Sequence, residues 1–66
     1  MKPQTKHVLS YLHLHGSVTP LEAFRDLGCM RLAPRILELR ERGHNIETRT
    51  ITAPNGKRYA SYQLVA

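Results

Sequence analysis

The sequence contains one cysteine, no tryptophan, one phenylalanine and three tyrosines. The single cysteine, Cys29, cannot form a disulfide bond within the chain. No apolar run approaches the roughly 18 residues that would span a bilayer, so we expect no membrane partner. The amino terminus also lacks the apolar core of a signal peptide. Together these absences predict a cytoplasmic protein.

Acidic residues are scarce as well, with five against ten Lys and Arg, which gives a net charge of +5. The excess lies in the second half, where residues 31–66 contain seven basic and three acidic side chains. A clustered positive charge is typical of proteins that bind polyphosphates. The composition therefore favours a nucleic-acid partner, and with it a nucleoid-associated location.

A chain of 66 residues buries only roughly 60% of its unfolded surface, which leaves little core around an enclosed catalytic cleft. The sequence shows no paired carboxylates, no nucleophile beside a base and no phosphate-binding loop. The four histidines lack the spacing of a zinc site, and Cys29 is expected to be a small buried residue. We therefore expect a binding module, with no enzymatic activity, metal or cofactor.

Three helices are predicted in the first two thirds of the chain. Residues 4–14 repeat apolar side chains at helical spacing, between Pro3 and Gly16. Residues 17–19 are either a connector or one rung of a small sheet. The second helix begins at a predicted capping box formed by Thr19 and Glu22. Its apolar stripe is predicted to comprise Leu21, Phe24 and Leu27, with Ala23.

The third predicted helix covers residues 31–42, with Leu32, Ile36 and Leu39 on its apolar face and Pro34 in its first turn. The pattern then changes to alternation over residues 45–52 and 58–65, separated by Pro54-Asn55-Gly56. This pattern predicts a β-hairpin, and Asn-Gly is expected to adopt positive φ at both turn positions. The fold class is therefore α+β: three helices followed by a two-stranded antiparallel hairpin, in one domain over residues 1–66.

This order of elements resembles the winged helix-turn-helix superfamily. Residues 19–28 (TPLEAFRDLG) are similar to its second helix and turn. Residues 31–46 (RLAPRILELRERGHNI) resemble the recognition helix and first wing strand of small phage and prophage DNA-binding proteins. The resemblance implies that helix 31–42 reads the major groove of duplex DNA. It also implies that the wing tip, residues 54–58, contacts the backbone or the minor groove.

The residues themselves support these roles. With the aliphatic stripe facing inward, helical spacing places Arg31, Arg35, Glu38 and Arg42 on one exposed face, where arginine can bond guanine or phosphate. A solvated face held by ion pairs is the alternative. The DNA-binding surface is predicted to comprise Arg31, Pro34, Arg35, Glu38, Arg42, Asn55, Lys57 and Arg58.

Several alternatives stay open from the sequence. Tyr59 and Tyr62 either stack on bases or contribute bulk to the core, and Leu37, off the core stripe, would suit a protein interface. The protein is thus a DNA-binding transcriptional regulator, a recombination accessory factor, or an interaction module that binds host transcription machinery. A host or phage protein is a further candidate partner. A monomer or a weak dimer on DNA is expected, because no long dimerisation helix follows the hairpin.

Overall fold

The computed structural model describes residues 2–65; Met1 and Ala66, the ends of the predicted domain, lie outside the described residues. Its elements are helix α1 (Pro3–His15), strand β1 (Ser17–Val18), helix α2 (Pro20–Leu27), helix α3 (Leu32–Glu41), strand β2 (Ile46–Thr52) and strand β3 (Arg58–Leu64). This order confirms the predicted three helices and hairpin. The segment after α1 is a short strand, which resolves the alternative that the sequence left open.

The α2 helix begins as predicted but buries only part of the predicted apolar stripe. The Thr19 hydroxyl accepts a hydrogen bond from the Glu22 backbone N–H at 3.2 Å, and the Glu22 carboxylate accepts one from the Thr19 N–H at 2.9 Å. Of the predicted apolar stripe, Leu27 packs against the core, but Leu21 and Phe24 do not, because they are 69% and 55% exposed. Ala23 is fully buried instead, since a small side chain lets α2 approach its neighbours closely.

The α3 helix lies within one residue of its predicted range at each end. Leu32, Ile36 and Leu39 are buried, as their spacing predicts. Arg31 and Arg42 are the residues that flank the helix, and Pro34 occupies its third position. No intrahelical hydrogen bond is lost at Pro34, because the first N–H groups of a helix have no partner within it.

The three strands form one antiparallel sheet in the order β1-β3-β2. In β3, Tyr62 pairs with Val18 of β1 and with Thr48 of β2. The core lies between this sheet and the helices, and its buried apolar members are Val8, Leu12, Val18, Ala23, Cys29, Leu32, Ile36, Leu39 and Ile46. Cys29 is thus buried as predicted, and Tyr62 packs against the core while Tyr59 is 43% exposed.

The hairpin turn differs from the prediction at Asn55. Gly56 has a φ of 86°, but Asn55 does not adopt positive φ. The Gly56 N–H donates to the Ala53 carbonyl at 2.9 Å, and the Ala53 N–H donates to the Lys57 carbonyl at 2.7 Å. This is a type I turn followed by a left-handed glycine. Pro54 explains the difference, because its ring restricts φ to about −65° and favours that turn.

Candidate nucleic-acid interface

The predicted arginine stripe on α3 is exposed at its ends and half-buried in its middle. Arg31 and Arg42 are exposed. The side chains of Arg35 and Glu38 are only 18% and 23% exposed, and their Nε and Oε2 atoms lie 3.8 Å apart. The expectation of one fully exposed face is therefore wrong for these two residues. The α1 helix packs beside this part of α3 and covers them.

A partly buried hydrogen bond connects this ion pair to α1. Thr5 is fully buried, and its hydroxyl donates to the same Glu38 Oε2 atom at 2.9 Å. This hydrogen bond, together with the positive charges of Arg35 and Lys2, lowers the pKa of Glu38 below its ordinary value. Glu38 is thus kept ionised and holds the Arg35 guanidinium against the helix. Sequence reasoning missed Thr5, because nothing local marks a threonine as buried.

The amino-terminal end of α3 borders an open depression of about 410 Å³, lined by Gln4, Gly28, Met30, Arg31, Pro34 and Arg35. Three of the eight predicted site residues therefore come together here. No side chain caps the helix at Arg31, so the first N–H groups of α3 and the positive end of its dipole remain available to an anion. Arg42 lies at the opposite end of α3, roughly 16 Å along the helix axis from Arg31.

The wing tip lies beside α2. Asn55, Lys57 and Arg58 are exposed and line a groove of about 610 Å³ together with Thr19, Pro20, Leu21, Glu22, Ala53 and Tyr59. The Asn55 side-chain oxygen accepts a hydrogen bond from the Lys57 N–H at 3.0 Å, which orders the loop that carries both cations. The eight predicted residues thus form separate groups on α3 and on the wing tip.

Sequence reasoning did not assign a role to Arg40, which joins α3 to the hairpin. Its Nε and Nη2 atoms donate to the Ile46 carbonyl at 3.0 and 2.8 Å, and Nη2 also donates to the Thr48 hydroxyl at 2.8 Å. These bonds occupy the outer edge of β2 and orient the hairpin relative to α3. The sequence places Arg40 among four arginines between residues 31 and 42, and spacing does not distinguish their partners.

Two further observations concern metal binding and membrane insertion. Among residues 2–65, no group of three or more His, Cys, Asp or Glu side chains is arranged to hold a metal ion. Within the same residues, no helix combines the length and apolar character needed to cross a bilayer.

Comparison with known proteins identifies the fold family. No curated protein and no solved structure gave a significant match. A family model described as a winged helix-turn-helix domain matches residues 3–66, nearly the whole chain. The winged helix-turn-helix is in general a DNA-binding and typically non-enzymatic fold. The chain, with its three helices, its hairpin and the cations on both, belongs to the winged helix-turn-helix domain family.

Proposed function

We propose that this protein binds duplex DNA with α3 in the major groove and with the wing tip, residues 54–58, on the backbone or in the minor groove. The observation that carries the proposal is the uncapped amino-terminal end of α3 with Arg31 exposed beside it. In helix-turn-helix proteins the first residues of the recognition helix contact base edges. A free helix amino terminus flanked by arginine suits an approach to negatively charged DNA.

The two groups of site residues have different tasks in this proposal. Lys57 and Arg58 are exposed on an ordered turn, where they bind phosphate and set affinity without reading sequence. Arg31 and Arg35 border the depression at the start of α3, where a guanidinium bonds guanine O6 and N7. Glu38 restrains Arg35 in this proposal, while Pro34 lines the same depression and Arg42 contacts the backbone farther along α3.

The test is fluorescence anisotropy with a labelled duplex recovered by selection from a randomised library and with an unselected random duplex. Arg35→Ala is expected to weaken binding to the selected duplex more than to the random one, since a base contact is lost. Lys57→Ala is expected to weaken both equally and to reduce the slope of log K against log salt by about 0.9. Equal loss on both duplexes for Arg35→Ala would show that it does not read bases.

Arg25→Ala is the matched control for charge. The Arg25 guanidinium is already bonded to Asp26 on α2 at 2.9 Å, so its removal is expected to leave both affinities nearly unchanged. Absence of binding to every duplex at low salt would overturn the proposed function.

We infer further that the protein is a phage- or prophage-type transcriptional regulator or recombination accessory factor. The resemblance of residues 31–46 to small phage and prophage DNA-binding proteins supports this prediction. Sedimentation of the protein with and without the selected duplex tests the accompanying prediction of a monomer or a weak dimer on DNA.

A second candidate function is a protein-interaction module that binds host transcription machinery. The exposed Leu21 and Phe24 of α2 and the exposed Leu37 of α3 favour it, because large apolar side chains on a surface suit a protein partner. Recovery of one host protein in a pull-down that withstands nuclease and high salt, together with no duplex binding, would favour this function over DNA recognition.

A further inference from the structure

The outward side of α3 is apolar at its centre. Leu32, Ile36 and Leu39 are buried on the inward side. Ala33 and Leu37 are exposed, and Leu37 keeps 58% of its surface. Their separation of four residues places the two side chains next to each other on the same face of the helix. The side of α3 that is free to meet a partner therefore presents methyl groups at its centre.

Cations flank this apolar strip, which we define as Ala33 and Leu37. Arg40 lies on the side facing the hairpin, where its guanidinium is bonded to the Ile46 carbonyl. The exposed Arg31 lies on the other side, at the depression at the start of α3, while Arg35 and its partner Glu38 lie farther round the helix towards α1. Glu41 follows Leu37 by about one turn and lies at the carboxyl-terminal end of the helix. In helix-turn-helix proteins this end is farther from the bases, because the first residues of the recognition helix contact them. An apolar strip between positive flanks is complementary to a major groove, whose floor lies between two phosphate chains.

An aliphatic side chain cannot donate or accept a hydrogen bond, so it reads a base only by contact. The apolar group that the major groove displays on its floor is the C5-methyl group of thymine. We propose that Leu37, with Ala33 beside it, reads thymine methyl groups and makes the preferred DNA sequence specific for thymine at the contacted positions. This inference rests on the proposed function, and it adds a source of specificity from residues outside the arginine set.

The test uses the duplex selected from a randomised library, with each thymine replaced in turn by deoxyuridine. This exchange removes the methyl group and retains the Watson–Crick hydrogen bonds. At the contacted positions we expect about fourfold weaker binding for each methyl lost, the equivalent of one buried methylene-sized group. Leu37→Ala is expected to bind thymine and deoxyuridine equally well at the position that Leu37 contacts, and to keep any preference that Ala33 confers at another position.

Leu14→Ala is the matched control, because Leu14 is a leucine on α1 that is 79% exposed. It is expected to keep the full preference for thymine. Leu37→Gln is a second variant, which retains a side chain of similar length but introduces an amide. In a repeated selection we expect it to favour adenine, which glutamine bonds at N6 and N7. Circular dichroism shows that each variant is folded before binding is compared.

The outcomes separate this inference from the proposed function. Wild-type protein that binds the selected duplex but does not distinguish thymine from deoxyuridine overturns the inference and leaves the proposed function standing. A thymine preference that survives undiminished in Leu37→Ala, or that is lost equally in Leu14→Ala, also overturns it. If no duplex is bound, the proposed function fails together with the inference. Capture of a protein partner through Leu37 would then assign the apolar strip to that partner.

Discussion

The side chains of α1 and α2 meet at a polar contact centred on Asp26. Its carboxylate accepts hydrogen bonds from the Tyr11 hydroxyl at 2.8 Å and from the Arg25 guanidinium at 2.9 and 3.1 Å. These bonds, Arg25 first and then Tyr11, lower the pKa of Asp26 from 3.8 to about 2. The bond to Asp26 also raises the pKa of the Tyr11 hydroxyl. This contact fastens the two helices together as long as Asp26 is ionised.

A measurable pH dependence follows from the sign of this shift. Because the pKa of Asp26 is lower in the folded state, the contact stabilises the fold above about pH 4, and this stability is lost as the pH falls towards 2. Asp26→Asn is therefore expected to lower Tm at pH 6 and to have little effect near pH 2. Thermal melts across this range measure the difference. Glu41→Gln, which removes an equal charge from an exposed position, is the control and should show no such convergence.

The side chain of Arg40 joins the hairpin to helix α3. Arg40 bonds the Ile46 carbonyl through two nitrogen atoms, which a lysine cannot do because its ammonium group is a point charge. The same side chain covers part of the β2 edge, and unpaired strand edges are prone to pair with other chains. Arg40 therefore orients the wing and protects its edge.

Arg40→Lys is expected to lower the free energy of unfolding by about 0.5–1.5 kcal/mol, the typical net contribution of a hydrogen bond. It is also expected to speed hydrogen exchange of the β2 amides that pair with β3. Urea unfolding and exchange monitored by NMR measure both effects. Arg42→Lys, at the exposed end of α3, should change neither quantity, and equal effects of the two substitutions would contradict the assigned role of Arg40.

The domain has a small core and therefore a narrow margin of stability. At roughly 0.05–0.15 kcal/mol per residue, a chain of this length is stable by about 3–10 kcal/mol. Its largest fully buried side chains include Leu12, Ile36 and Leu39, which come from α1 and α3. Truncation of one of these side chains therefore removes a large fraction of the total free energy of unfolding.

Leu39→Ala is expected to cost about 2–5 kcal/mol, because it leaves a cavity at a fully buried position. A substantial unfolded fraction near 37 °C should result, visible by circular dichroism. Leu14→Ala, at a 79% exposed position, is expected to stay within about 0.5 kcal/mol of the wild type. A bound duplex should partly restore the folded fraction of Leu39→Ala, because a ligand that binds only the folded state stabilises it.

The fold was accessible from the sequence because its signals are local. The Thr19–Glu22 capping box acts over three residues, and the spacing of Leu32, Ile36 and Leu39 reports the period of one helix. The turn at Asn55 was predicted in the wrong conformation, because Pro54 imposes a different backbone than Asn-Gly alone favours. The predicted ends of the helices and strands nevertheless lie within one residue of the observed ends.

The sequence did not predict all of the buried side chains or which partners the polar side chains bind. Arg35 and Arg40 are equivalent in chemistry, yet one pairs with Glu38 beside α1 and the other bonds the β2 edge. Thr5 and Glu38 are 33 residues apart in the chain, and α2 buries Ala23 where the pattern favoured Leu21 and Phe24. Local spacing specifies which side chains share a face, because the backbone period is intrinsic to a helix or strand. Only the packing of distant segments specifies which face is covered, because that depends on which elements meet in space.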